Sequence, residues 1–133
     1  MIAYLDANIV IYFVEKNLVW WPKVSARIHT LQAGGDEIAV SDVARLECMV
    51  GPYTSGNTAV LSDYRAFFSD PAVRVFLATA GVFERAAQIR ATFSFKPLDA
   101  LHLAAAVEHG CALFLTNDAQ LGRFTGIRVE VLT

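Results

Sequence analysis

The chain has 133 residues, 55% of them hydrophobic and 18% charged, with 13 acids against 11 bases for a net charge of −2. A chain this apolar buries enough surface to offset its ordering entropy, which excludes intrinsic disorder, and its length supports one core rather than two. The slight negative charge excludes binding of nucleic acid by broad attraction, so a polyanion partner has to be held by a local patch or by metal.

In chain order, the first predicted element is a strand over Ile2 to Leu5, ending directly on Asp6. No basic segment precedes it, so no secretory leader and a cytoplasmic location are expected. Val24, Ile28 and Leu31 then share one helical face behind Trp20, Trp21 and Pro22. Glu37 to Val40 is strand-like, and Val43, Leu46 and Val50 resume helical spacing. The Gly51-Pro52-Tyr53-Thr54-Ser55-Gly56-Asn57 stretch reads as a surface excursion. Leu61, Tyr64, Phe67 and Phe68 mark a helix, Val73 to Leu77 a strand, and Phe83, Ala86, Ala87 and Ile89 another helix. Leu98 to His109 is apolar around nearly its whole circumference, so it is expected as a helix buried on several sides, with Pro97 at its start and Gly110 after its end. Ala112 to Leu115 and Val129 to Val131 are the last strand candidates. Strands separated by helices imply an α/β fold, a three-layer α/β/α sandwich with a central, mostly parallel sheet of about five strands, in one domain over 1–133. No apolar run approaches the ~20 residues of a membrane span.

Cys48 and Cys111 lie in apolar stretches outside any CxxC pattern, so both are expected as buried free thiols in a reducing compartment. His29, His102 and His109 form neither HxxxH nor HExxH, which speaks against zinc.

In open parallel sheets ligands bind beyond the carboxyl ends of the strands, which directs attention to four carboxylates. Asp6 follows the first strand, Asp118 follows Ala112 to Leu115, Glu47 lies one to two turns into the helix after Val40, and Asp99 opens the buried helix. Each has a plain alternative: Asp6, Asp99 and Asp118 can cap or stabilise helix starts, and Glu47 can be a solvated surface residue. Convergence of all four would place like charges together, a conflict that a divalent cation removes. Hard oxygen donors without Cys or His favour Mg²⁺ or Mn²⁺. Such a site suits phosphodiester hydrolysis by metal-activated water, with one metal or two.

Asp6-Ala7-Asn8, Ser41 followed six residues later by Glu47, Asp99-Ala100-Leu101-His102-Leu103-Ala104-Ala105-Ala106 and Thr116-Asn117-Asp118, in this order, resemble the PIN domain, and at this compact length a VapC-type toxin of a toxin–antitoxin pair. The resemblance spans almost the whole chain. It implies a metal-dependent endoribonuclease, a hydrolase, in which Asp6, Glu47, Asp99 and Asp118 are the catalytic residues and metal ligands for Mg²⁺ or Mn²⁺. Asn8, Ser41, Thr116 and Asn117 would orient those carboxylates. It further implies an RNA substrate, a cognate antitoxin protein and a homodimer. The sequence departs from the family pattern at Ala7 and Ala44, where hydroxyl side chains are frequent. Without the four acids, the rest of the chain holds nine acids and eleven bases, so its net charge reverses to +2.

Two other functions compete. One is a PIN-like RNA- or protein-binding regulatory module with little catalysis, to which Ala7 and Ala44 point. The other is a phosphoacceptor domain, which wants a Lys after a late strand; Lys16, Lys23 and Lys96 fit that poorly. His102 shares a helical face with Asp99 and is expected as a satisfied, half-buried histidine, with contact to the site or RNA as its alternative. Trp20 and Trp21 are expected at an interface with antitoxin or a second subunit, stacking on bases being the alternative.

Overall fold

A computed structural model describes all 133 residues. Its centre is a five-stranded sheet of β1 (Ile2–Leu5), β2 (Glu37–Ser41), β3 (Val73–Phe76), β4 (Leu113–Thr116) and β5 (Arg128–Val131), in the order β3-β2-β1-β4-β5. Every neighbouring pair is parallel, so the sheet is wholly parallel rather than mostly so. Six helices cover it: α1 (Ala7–Val14), α2 (Trp21–Ala33), α3 (Asp42–Ser55), α4 (Thr58–Ser69), α5 (Ala80–Phe93) and α6 (Pro97–Glu108). A short 3-10 helix, Ala119–Arg123, joins β4 to β5.

Side chains of a strand alternate between the two faces of its sheet, and that alternation divides the core. Ala3 and Leu5, Ile38 and Val40, and Leu113 and Leu115 face one layer with residues of α1 to α4, among them Ile9, Val24, Ala44 and Tyr64. Tyr4, Ala39 and Phe114 face the other layer, packed with Val82 and Ile89 of α5 and with Ala100 and Leu103 to Ala106 of α6. Because both faces are covered, β4 is buried at every position, which is why Leu113 to Leu115 reads as an apolar run before the buried Thr116. Ala100, Ala104, Ala105 and Ala106 are all fully buried, so α6 lies deep in its layer as its apolar circumference predicts.

The stretch Gly51 to Asn57 lies on the surface as expected, all but Pro52 being exposed, but most of it is helix and not an excursion. Helix α3 continues through Ser55, with Pro52 buried inside it. Proline removes one helical hydrogen bond, but burial of Pro52 favours the helical path, and Thr54 Oγ1 donates to the Val50 carbonyl at 2.8 Å. The helix ends only at Gly56, whose φ of 72° is the left-handed conformation that glycine adopts without a Cβ penalty. Trp20 stacks on Tyr12 of α1, centroids 5.6 Å apart, while Trp21 stays partly exposed. Cys48 and Cys111 are free and buried, and burial pushes their thiols up to about 12 and about 11. No helix is long and apolar enough to cross a membrane.

Candidate active site

Strand order reverses between β1 and β4: the chain lays β2 and β3 on one side of β1, then crosses to place β4 and β5 on the other. This switch point opens a crevice at the carboxyl ends of the two strands. Asp6 leaves β1 there, its backbone N–H donating to the Leu115 carbonyl of β4 at 2.9 Å. Asn117 and Asp118 leave β4 beside it.

Asp6 is only 4% exposed. Its Oδ1 accepts from the Ala7 N–H at 2.8 Å, capping α1, and its Oδ2 accepts from Thr116 Oγ1 at 2.7 Å. Thr116 Oγ1 also accepts from the Asp118 N–H at 3.0 Å, and Asp118 Oδ1 accepts from the Gln120 N–H at 3.0 Å. One fully buried hydroxyl therefore fixes both acids of this edge. Asp99 lies in the first turn of α6 and Glu47 midway along α3, both half-buried.

The acids sense one another. Burial raises the pKa of Asp99 above the ordinary carboxylate value, and the charges of Asp6, Asp118 and Glu47 raise it further against the lowering effect of His102. Burial also raises that of Asp6; His102, Thr116 and the Ala7 N–H oppose this, and Glu47 adds to it. Asp99 is thus within electrostatic reach of Asp6, Glu47 and Asp118, and Asp6 within that of Glu47.

The orienting residues divide. Thr116 bonds Asp6 directly. Asn117 Oδ1 accepts instead from the Tyr12 hydroxyl at 3.3 Å. Ser41 is fully buried and bonds Tyr4, Oγ to Oη 2.7 Å. Asn8 Oδ1 is the one buried side-chain polar atom with no hydrogen-bond partner, two residues along from Asp6.

His102 departs from expectation. It is wholly buried, not half-buried, and it touches the site: Nε2 lies 2.6 Å from Glu47 Oε1 and Nδ1 lies 2.7 Å from Tyr4 Oη. Tyr4 was hidden in sequence inside an apolar strand, with nothing to distinguish its hydroxyl from a core aromatic's spare polar tip. The i, i+3 relation of His102 to Asp99 was the available signal for the histidine.

No three His, Cys, Asp or Glu side chains form a ready-made ligating cluster. That still fits a magnesium-type ion, which keeps several of its waters and takes one or two carboxylates from the protein. The donor chemistry is right, since Asp6 and Asp99 offer carboxylate oxygens whose pKa is raised first by burial and then by neighbouring acids, and Asn8 Oδ1, two residues along from Asp6, is an unpartnered acceptor.

No curated protein matches the sequence. Among solved structures, a chain of the VapBC2 complex from Rickettsia felis, bound to a DNA fragment from its promoter, superposes with a TM-score of 0.82 at 19% identity, covering 98% of each chain. A chain of DNA-bound VapBC from Salmonella typhimurium gives 0.79 at 21% identity, again over 98% of each. Mycobacterium tuberculosis VapC20, a Sarcin-Ricin loop cleaving toxin, gives 0.72 at 16% identity over 95% of this chain and 98% of its own. Identities this low show a shared fold. The family itself is shown by the sequence profile of the PIN domain, which matches residues 3–127 and so takes in all four carboxylates: the chain belongs to the PIN domain family.

Proposed function

We propose that the chain is the toxin of a VapC-type toxin–antitoxin pair, a metal-dependent endoribonuclease that hydrolyses RNA phosphodiesters. What supports this reading is that Asp6 and Asp118 stand at the switch point of a PIN fold and that Asp99 is within electrostatic reach of both and of Glu47. Solved structures of that fold include VapBC chains and a Sarcin-Ricin loop cleaving toxin.

Asp6 and Asp99 would be the main ligands of Mg²⁺ or Mn²⁺, with Glu47 and Asp118 completing the acidic wall. A bound ion supplies an activated water and neutralises charge developing on the phosphate. The protein's part is positioning. The Ala7 N–H and Thr116 hydroxyl hold both oxygens of Asp6 in one orientation, and the start of α1 favours its negative charge. Asp118 is held between its own N–H bond to Thr116 and its bond to Gln120, leaving Oδ2 free for a ligand or a water. Ala7 gives Asp6 its backbone N–H and, lacking a hydroxyl, no side-chain donor. Ala44 is buried in the core, where its small side chain is packed.

A cognate antitoxin and a homodimer belong to the same proposal. Leu46, Val50 and Tyr53 form an exposed apolar stripe at helical spacing on α3, suited to one of these contacts. The test is cleavage of RNA by the purified chain with Mg²⁺ or Mn²⁺. Wild type cleaves and EDTA stops it, whereas Asp6→Asn and Asp99→Asn lose cleavage with unchanged circular dichroism. Undiminished cleavage by both variants refutes the reading, as does the absence of Mn²⁺ binding by calorimetry.

A further inference from the structure

Four buried or half-buried side chains from four elements form one continuous hydrogen-bonded line: Ser41 at the end of β2, Tyr4 of β1, His102 of α6 and Glu47 of α3. Ser41, Tyr4 and His102 are each 0% exposed. The hydrogens along this line can be counted. With Glu47 as a carboxylate, which only accepts, the hydrogen between His102 and Glu47 belongs to Nε2. That holds for the neutral Nε2–H imidazole and for the imidazolium alike. In the neutral form the Tyr4 hydroxyl donates to Nδ1 and accepts from Ser41, so every link is filled and every donor points toward Glu47. In the imidazolium form Nδ1–H donates to Tyr4, which donates to Ser41.

We propose that His102 is a positioning residue for Glu47, held in its orientation by Tyr4 and Ser41, and that it fixes which Glu47 oxygen faces the pocket. The proposal rests on the reading of the pocket as a metal-dependent nuclease site. Glu47 is otherwise poorly restrained: it is half-buried on a helix, and His102 is its only side-chain hydrogen-bond partner. With Oε1 engaged by His102, Oε2 is left for a cation or its water. Burial keeps the Tyr4 hydroxyl protonated, far above the usual phenol range, so it remains a hydrogen-bonding group that steers the ring and not a charge. Ser41 thereby orients a carboxylate that it does not touch, through two intermediaries.

The test exploits the shapes of two amides. A glutamine side-chain nitrogen takes the place of Nε2, whereas an asparagine nitrogen takes that of Nδ1. His102→Gln keeps a donor for Glu47 and loses Tyr4; His102→Asn keeps the Tyr4 contact and leaves Glu47 without a donor. Mn²⁺ affinity is measured by calorimetry on the full chain, with kcat and KM for RNA cleavage alongside and thermal midpoints as a control. The expected result is a loss of about 10–100-fold in Mn²⁺ affinity and kcat for His102→Asn, with KM unchanged, and a much smaller loss for His102→Gln. Equal losses in the two variants, or losses that follow their thermal midpoints, overturn the proposal. Nitrogen-15 NMR of the wild-type histidines is the arm that needs neither variant to fold: His102 Nε2 should carry a hydrogen whose resonance moves in Glu47→Gln. An Nε2 without hydrogen, or one indifferent to Glu47→Gln, refutes the link. If the wild type neither binds Mn²⁺ nor cleaves RNA, the nuclease reading fails by itself while the NMR result still decides the role of His102.

Discussion

Thr116→Val exchanges a hydroxyl for a methyl at a fully buried position and leaves the shape of the side chain intact. Two bonds disappear: Oγ1 to Asp6 Oδ2 at 2.7 Å and the Asp118 N–H to Oγ1 at 3.0 Å. A hydrogen bond to a charged group contributes about 1.5–3 kcal/mol, and leaving the partly buried Asp118 N–H unmatched adds about 1 kcal/mol. The expected destabilisation is about 2.5–4 kcal/mol at neutral pH, read as a shift in urea midpoint at constant m. The penalty depends on pH with a definite sign. The Thr116 hydroxyl is one of the groups that oppose the raised pKa of Asp6, so its removal raises that pKa further. As pH falls through it Asp6 takes up a proton, the charge-assisted bond loses its advantage, and the penalty shrinks toward about pH 4. The acid limb of RNA cleavage moves to higher pH for the same reason. Thr116→Ser, which keeps the hydroxyl and loses one methyl, costs about 1 kcal/mol and leaves the pH dependence in place. A Val variant within about 0.5 kcal/mol of wild type, as at an ordinary surface site, or one equally destabilised at both pH values, refutes the reasoning.

Asp99→Asn should raise the thermal midpoint in EDTA at neutral pH. A carboxyl whose folded pKa is raised stabilises the fold below its unfolded value and loses that contribution as pH rises through the folded value, so the gain fades as pH approaches about 4. Gly56→Ala, at φ 72°, should lower stability in urea unfolding by roughly 1–2 kcal/mol. Arg27 forks onto both oxygens of Glu130, at 2.6 and 2.8 Å, tying α2 to β5. With side chains 28% and 24% exposed, the pair contributes about 1 kcal/mol, so Arg27→Met lowers stability by that amount in low salt and by less in 1 M salt.

The layers of this fold were legible because burial on both sides writes itself into sequence. β1 and β4 are apolar without alternation, and α6 is apolar around its circumference, signatures that only interior elements carry. What misled was local chemistry taken alone. Gly51-Pro52 reads as a turn by backbone preference, yet the chain there stays helical because Pro52 is buried. Asp6, Asp99 and Asp118 stand out in sequence by their places at strand and helix boundaries, and Glu47 by its place one to two turns into the helix after β2. Tyr4 and the full burial of His102 do not, since their roles depend on partners 98 and 55 residues distant in sequence. No spacing rule reaches that far; only the sheet order brings β1 under α6 and α3.

The capping role of the acids and their proposed catalytic role are consequences of one architecture. In a parallel sheet with crossovers, each helix that follows a strand starts where that strand ends, so helix starts collect along the carboxyl edge. Asp6 caps α1 directly after β1, α3 begins directly after β2 and carries Glu47 in its second turn, and Asp118 caps the 3-10 helix directly after β4. Asp99 enters the same edge from the first turn of α6. The exposed N–H groups and dipoles at the starts of α1 and α6 favour negative charge there, and they offset part of the repulsion among acids that burial would otherwise drive to take up protons. Removing a cap therefore loosens a proposed ligand, and replacing a ligand frees a helix start. Substitutions at Asp6 should consequently affect metal binding and the stability of α1 together, whereas Asp99, whose helix is started by Pro97 without a side-chain cap, should separate the two.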